Sequence, residues 1–295
     1  MKKEKMTVGK ALVYIYVILF ALICLYPFLL TMGGSLMTDR EATLEGFKVI
    51  PSDITFDSYR LIWANKNMIL NGYKVTIIVT ILGTCCSVIV NGMMGYGLSR
   101  RQLPGRAVVN LYVLITMLFN GGMVSWYIVC SRYLHLKDTL FALIVPSLVN
   151  AWNIFLIRNY FSGVPEEMSE SAKLDGASEF TIFFRIYLIL AKPVIATVTL
   201  FAALGYWNDW WLGLMLIDNT ELHPLQMLLR SMMANIQYLQ TMSQQSSEAQ
   251  SMLANVPGNG VKMAMTVITT GPIILLYPFL QRYFMKGIMV GAVKG

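Results

Sequence analysis

Six long apolar segments alternate with polar stretches along this chain, running approximately Ala11–Gly33, Gly72–Leu98, Ala107–Cys130, Thr139–Tyr160, Pro193–Ile217 and Met263–Phe284. Each is long enough for a helix to cross a hydrocarbon core, which takes about 20 apolar residues. Helices are expected because a helix satisfies its own backbone hydrogen bonds where water is absent. Two of the polar stretches are long. One, 34–71, carries turn signals at Pro51-Ser52-Asp53 and an apolar-aromatic stretch, Tyr59 to Trp63, suited to a membrane surface. The other, 218–261, is rich in Gln, Ser and Met, and its middle, Leu225 to Leu253, predicts one or two short helices. A strong turn signal, Pro257-Gly258-Asn259-Gly260, closes it. A third polar stretch, 160–192, groups Glu170, Lys173, Asp175, Glu179, Arg185 and Lys192 between apolar neighbours. Charges this dense belong in water, where a soluble partner can meet them.

Composition agrees with the pattern. Of 295 residues, 56% are hydrophobic and 13% charged, with a mean hydropathy of +0.58. Soluble domains carry about 25% charged residues. The expectation is an all-α integral membrane protein of six transmembrane helices, one domain over 1–295 with its core spans from about 70 to 290. The basic N-terminus, Lys2, Lys3, Lys5 and Lys10, precedes an apolar run too long for a secretory signal. It reads as an uncleaved first span. With that end in the cytoplasm, Arg100, Arg101, Arg106, Arg158, Lys173, Arg185 and Lys192 also fall inside, as the positive-inside rule requires. An even number of spans then puts both termini inside. The net charge of +7 is therefore read as topology. No basic patch is interleaved with aromatics in a soluble domain, so no nucleic-acid partner is expected.

Cys24, Cys85, Cys86 and Cys130 fall in or beside spans and read as small buried hydrophobes, with no disulfide framework. The run Gly92-Met-Met-Gly95-Tyr-Gly97 lies inside an apolar helix and has the wrong spacing for a dinucleotide fingerprint. Close helix packing by small residues explains it. No GxxxxGK[ST] phosphate cradle occurs, so ATP-driven work would need a second polypeptide.

Pro165 and the acids Glu166, Glu167 and Glu170 suit the start of a helix, where the dipole is positive. Gly176 suits its left-handed end. A second helix would begin near Ser178 and show Phe180, Phe183, Phe184 and Tyr187 to its surroundings. The stretch thus predicts helix, glycine turn, helix: a knob for a groove. Its residues Glu170-Ser-Ala, Gly176, Ile186, Leu188 and Pro193 resemble the EAA loop of permease subunits in ATP-driven importers. The pattern there is Glu-Ala-Ala, three residues, Gly, nine residues, Ile-x-Leu-Pro. This chain departs at Ser171, small for small, and at Ile189, where Pro would follow Leu. The C-terminus, Tyr277 to Gly295, is similar to the tail of the smaller permease of maltose and related oligosaccharide importers.

That resemblance implies the type I fold of ATP-binding-cassette importer permeases, and a transport subunit in place of an enzyme. It makes Glu170, Ser171, Ala172, Asp175, Gly176 and Ala177 residues that couple to the ATPase, and Lys286, Gly287, Gly291, Lys294 and Gly295 further ATPase contacts. The partners it implies are a second homologous permease, two ATPase subunits holding ATP and Mg, and an external solute-binding protein. The cargo would be a carbohydrate, an oligosaccharide by the tail, and the setting a bacterial cytoplasmic membrane crossed several times and bathed in lipid. No cofactor or metal is expected on this chain itself.

Tyr206-Trp-Asn-Asp-Trp-Trp211 interrupts the fifth segment. Asp209 is the only acid well inside a segment, and an intramembrane ionisable residue marks a functional site by default. Trp207 and Trp211, four apart, would share a helix face. Aromatic faces beside amide and carboxylate suit sugars, and the run is similar to one in sugar-importer permeases. Trp207, Asn208, Asp209 and Trp211 are therefore candidates for the solute pathway. An aromatic belt at the outer interface accounts for the same residues equally well. Asn150, Trp152 and Asn153 read as residues that join helices. Position alone matches 218–261 to the outer loop that enters the binding protein in the maltose importer.

Two other classes fit the residues less well. A membrane enzyme needs two or three groups brought together, yet the only histidines, His135 and His223, fall outside the segments. A stand-alone carrier commonly shows internal repeats, and none is evident.

Overall fold

The computed structural model describes residues 8–243 and 258–274, and every regular element among them is a helix. These residues fall into two compact units: 8–67 with 229–243 and 258–271, and 68–228 with 272–274.

The first unit begins with α1 (Val8–Ser35), an apolar helix that carries Pro27. None of its most apolar window is buried. Thr38 then caps α2 (Asp39–Glu45) by accepting the Glu41 N–H at 3.2 Å. Glu41 itself is buried and receives the N–H groups of Ser52 at 2.8 Å and Asp53 at 3.4 Å. The Ser52 bond, with help from Asp53 and Lys48, holds its carboxyl below the ordinary 4.5. The Tyr59–Trp63 stretch forms part of α3 (Asp57–Ala64), which turns Ser58 and Ile62 inward and leaves Leu61 and Trp63 exposed. Such a two-faced helix suits a membrane surface. A further helix runs over 259–274.

The second unit is organised along α4 (Lys66–Ser99). One buried cluster gathers Val75 and Val79 with Ile144, Tyr206 and Leu216. Another gathers Tyr96 with Ile157, Phe161, Ile182, Phe183 and Tyr187. The glycine run behaves as expected at two of its three positions. A Cβ on Gly92 would lie 3.2 Å from Phe183, and one on Gly95 would lie 2.9 Å from Ile157 and 3.2 Å from the Arg158 backbone nitrogen. Gly97 faces open space.

Three expected spans are bent. In the third, α5 (Arg106–Leu118) meets α6 (Met123–Ile128) and the π turn that continues it to Tyr133 at 115°. The break falls at Asn120-Gly121-Gly122, where Asn120 Oδ1 accepts the Gly122 N–H at 2.8 Å and Gly122 adopts φ +82°. In the fourth, 3₁₀ turns at Leu140–Leu143 and Val145–Ser147 precede α7 (Ala151–Phe161) at 51°. Pro146 lacks the N–H that a continuous helix needs. The fifth divides into α11 (Lys192–Trp207) and α12 (Trp211–Leu216), and the chain turns by 89° on entering α11. Before it come α8 (Glu167–Leu174), α9 (Glu179–Ile182), a π turn and α10 (Leu188–Leu190). Among the described residues two helices, Gly9–Ser35 and Lys66–Ser99, are long and apolar enough to cross a membrane, or five segments if each bent pair counts as one.

Three expectations need correction or fall elsewhere. Of the four free cysteines only Cys130 is buried; Cys24, Cys85 and Cys86 lie exposed on α1 and α4, where a thiol adds apolar surface. Within the middle of 218–261 the described residues form α13 (Leu225–Ser243), and 244–253 lie outside them. The sixth apolar segment extends past residue 274, and the tail residues Lys286, Gly287, Gly291, Lys294 and Gly295 lie outside the described residues.

Candidate functional site

The polar knob between α7 and α11 is built from local rules. The Glu166 carbonyl accepts the N–H of Ser169 at 3.0 Å and of Glu170 at 3.1 Å, opening α8. At its other end Gly176 stands at φ +80°, with its N–H bonded to the Lys173 carbonyl at 3.0 Å and that of Ala177 to Ala172 at 2.9 Å. This pair of bonds is the Schellman motif, which closes a helix with a left-handed residue. Ser178 then caps α9 by accepting the Thr181 N–H at 3.3 Å.

The knob has a back and a front. Ser169 is fully buried, and Ala172 and Ala177 pack against the cluster of Ile157, Phe161 and Phe183. Glu170, Ser171, Asp175 and Gly176 are exposed, and Leu174, at 90% exposure, stands furthest out. The six candidate coupling residues therefore divide: four form an outward face, and the two alanines are small so that α8 can lie close to the core. Of the aromatics expected to face outward, Phe180 and Phe184 do so, whereas Phe183 and Tyr187 are buried among their own kind. Phe183 and Tyr187, four apart, continue the inward stripe of Ile182 and Ile186, while Phe180 and Phe184 lie on the opposite face.

Behind the knob lies a chain of polar contacts to α4. Arg100 donates to the Tyr187 hydroxyl at 2.7 Å, and its guanidinium sits 5.8 Å from the ring centres of both Tyr96 and Tyr187. The Tyr96 hydroxyl donates to Glu179, which also pairs with Lys173 at 2.6 Å. The Lys173 bond first, and then Tyr96, keep the Glu179 carboxyl below its usual range. None of these contacts beyond the charges themselves was legible in the sequence.

At the other end of the second unit a cavity of about 610 Å³ opens beside α11. Its walls include Ser87, Asn150, Trp152, Asn153, Tyr206 and Asp209. An adjoining hollow of about 320 Å³ is lined by Asn120, Trp126, Asp209 and Trp211. Asp209 is thus common to both. Its Oδ1 accepts the Leu212 N–H at 2.9 Å and so caps α12. Trp207 and Trp211 do not share a helix face, because the helix ends at one and restarts at the other. Trp207 is buried, and Asn208 is exposed with its Nδ2 bonded to the Leu204 carbonyl at 2.9 Å.

The amides of the fourth segment both join and line. Asn150 caps α7 by accepting the Asn153 N–H at 3.1 Å and gives its own N–H to Asn91 at 2.8 Å. Asn91, fully buried on α4, also donates to Leu148 at 2.9 Å and to the Ser87 hydroxyl at 2.9 Å. Tyr206 donates to the Ile144 carbonyl at 3.0 Å. The broken backbone at 144–150 is satisfied by side chains, the condition for irregular structure at membrane depth. Nothing in the sequence marks Ser87 or Asn91, and Tyr206 stands there only as the first residue of the aromatic run; Pro146 in an apolar run is the further signal.

Residues 102–290 match the family described as the inner membrane component of binding-protein-dependent transport systems. The chain is 38% identical over 285 residues to the polygalacturonan/rhamnogalacturonan transport system permease protein YtcP of Bacillus subtilis, covering 96% of this chain and 97% of that one. It is 26% identical to the arabinooligosaccharides transport system permease protein AraQ of the same organism, over 95% and 94% of the two chains. Among solved structures it resembles a chain of a bacterial ABC transporter involved in import of the acidic polysaccharide alginate. The TM-score is 0.80 at 29% identity, over 96% of this chain and 99% of that one.

Proposed function

Because the chain belongs to the family of inner membrane components of binding-protein-dependent transport systems, we propose that it is a permease that imports an oligosaccharide, driven by an ATPase docked on the knob around Gly176. The observation that carries this reading is the knob itself: a Schellman-closed turn anchored behind by Ser169, Ala172 and Ala177, with Leu174 held out at 90% exposure. With Met168 and Phe180, also exposed on the same stretch, Leu174 offers apolar surface to a groove in a soluble protein. Glu170, Ser171, Asp175 and Gly176 surround it.

The chain would cross the membrane six times with both termini in the cytoplasm, as basic residues at Arg100, Arg101 and Lys173 favour. The membrane would be the bacterial cytoplasmic one. A second homologous permease would complete the pathway, two ATPase subunits would hold ATP and Mg, and a binding protein would deliver cargo from outside. Closure of the ATPase pair would draw the two knobs together and open the pathway outward; hydrolysis would reverse it. Chemistry thus resides on the partner, and this chain moves solute. The cavity suits a glycan: the amide groups of Asn150 and Asn153 line it beside the exposed ring of Trp152, which offers a face for sugar C–H groups. Names among the relatives, for polygalacturonan/rhamnogalacturonan and arabinooligosaccharides, support the same class.

The test is to tag the chain, extract it mildly from its host membrane and identify what accompanies it. A P-loop ATPase together with a second permease is expected, and Glu170→Ala is expected to lower uptake per ATP without loss of the chain from the membrane. Recovery of the chain alone, with wild-type uptake by Glu170→Ala, would refute the assignment.

A further inference from the structure

We propose that Tyr96 and Arg100, at the end of α4 next to the knob, are the positioning residues that carry the knob's movement to the wall of the cavity. This rests on the ATPase-coupling reading above and specifies its route.

The contacts define a continuous path. On the knob, Lys173 of α8 pairs with Glu179 of α9 at 2.6 Å, so one ion pair spans the Gly176 turn and ties its two helices together. Glu179 accepts the Tyr96 hydroxyl, and the Tyr187 hydroxyl accepts from Arg100 at 2.7 Å. Arg100 also lies 5.8 Å from both ring centres, so its charge rests against the Tyr96–Tyr187 pair. Tyr96 and Tyr187 are in edge contact at 4.8 Å between centroids. The knob is thereby bound at two points four residues apart, Tyr96 in the last turn of α4 and Arg100 just past its end.

From there α4 is an uninterrupted helix. Counted from Tyr96, Asn91 and Ser87 lie about one and a half and two and a half turns further along it. Asn91 holds the cavity-side loop through Leu148 and Asn150, and Ser87 lines the cavity and donates to the Leu148 carbonyl at 2.9 Å. A stiff helix gripped at one end by the knob and holding the cavity wall at the other transmits displacement without any change in its own hydrogen bonds. Packed elements of this kind switch between discrete arrangements more readily than they deform.

The test uses the whole importer as purified, in lipid, and needs no knowledge of the cargo. In a background with the native cysteines replaced by serine, Gly205→Cys places a thiol on α11 at the cavity wall, where an added Cβ meets nothing within 4 Å. Its rate of labelling by a membrane-impermeant maleimide is compared with and without trapping of the ATPase by ATP and vanadate. Trapping is expected to change the rate about fivefold or more, the lower end of usual coupling factors. Tyr96→Phe, which keeps the ring, and Arg100→Gln are each expected to abolish that change while ATP hydrolysis per assembled complex persists. The double variant should look like either single one, and Tyr160→Phe, beside the relay but outside it, should behave as the parent. If both relay variants keep the full labelling change, the route through Tyr96 and Arg100 is wrong although coupling stands. If the parent itself shows no response to trapping, the coupling reading fails with it. Should Arg100→Gln not assemble, Tyr96→Phe carries the test alone.

Discussion

Gly95 and Gly97 sit two residues apart on one helix, and the structure predicts opposite outcomes for the same substitution. In each case replacement by Ala improves helix propensity by about 1 kcal/mol. At Gly97 nothing lies within 4 Å of the added Cβ, so that gain stands unopposed. At Gly95 the new carbon would lie 2.9 Å from Ile157 Cγ2, 3.0 Å from Ile157 Cβ and 3.2 Å from the Arg158 nitrogen. Ile157 is fully buried and β-branched, so it cannot swing aside, and Arg158 N is backbone. Helices α4 and α7 must separate, at a cost of about 1–3 kcal/mol for overpacking. Subtracting one variant from the other cancels the propensity gain, which leaves the overpacking cost alone. In thermal melts of the purified permease in detergent the two variants should differ by about 2–6 °C, with Gly97→Ala the higher. Ile157→Ala in the Gly95→Ala background should recover part of the loss, so that the double variant is less impaired than the sum of the singles. Equal melting of Gly95→Ala and Gly97→Ala would refute the close approach of α4 and α7.

Glu179 has a depressed pKa, so its contribution to stability is complete above the unfolded value of 4.5 and is lost as pH falls through the lower folded value. The gap in melting temperature between wild type and Glu179→Gln should therefore stay constant above about pH 6 and close below about pH 4; a gap that widens on acidification would contradict the ion pair with Lys173. Gly176→Val meets no neighbour within 4 Å but must adopt φ +80°, and should loosen the knob by about 1–2 kcal/mol. Hydrogen exchange at the Gly176 and Ala177 amides should accelerate accordingly, and unchanged protection there would count against the Schellman turn. Asp209→Ala should cost about 0.5–2 kcal/mol through the lost cap of α12, whereas Asp209→Asn, which still caps, should cost much less. Equal losses in the two would point to the charge and not to the cap.

Much of the knob was readable in advance because it obeys local rules. Acids ahead of the first helix, Gly176 after it and Ser178 before the second each act within a few residues, and the helices begin and end where those residues require. The apolar segments were readable for the same reason, since hydropathy sums over neighbours in the chain. The bends were harder. Asn120-Gly121-Gly122, Pro146 and Asn208-Asp209 are visible as polar or helix-breaking residues, but apolar flanks on both sides conceal whether the helix continues through them. At the Trp207–Trp211 run an unbroken helix was assumed, and Asp209 instead ends one helix and caps the next.

What the sequence by itself determined is the polarity of each part: which stretches are apolar enough for a membrane and which short stretch between them is densely charged. Those follow from side-chain transfer free energies and local turn chemistry, which do not depend on distant residues. Only the tertiary structure decided which side of the knob faces out, because that depends on which aromatics the core of Ile157 and Phe161 takes in, Phe183 and Tyr187, and on the fit of Ala172 and Ala177 to it. It also brought Arg100, Tyr187, Tyr96 and Glu179 into one set of contacts, and assembled the cavity from Ser87, Asn150, Tyr206 and Asp209. Residues separated by 50 to 120 positions meet there because helices pack, and packing is set by the shapes of many side chains together.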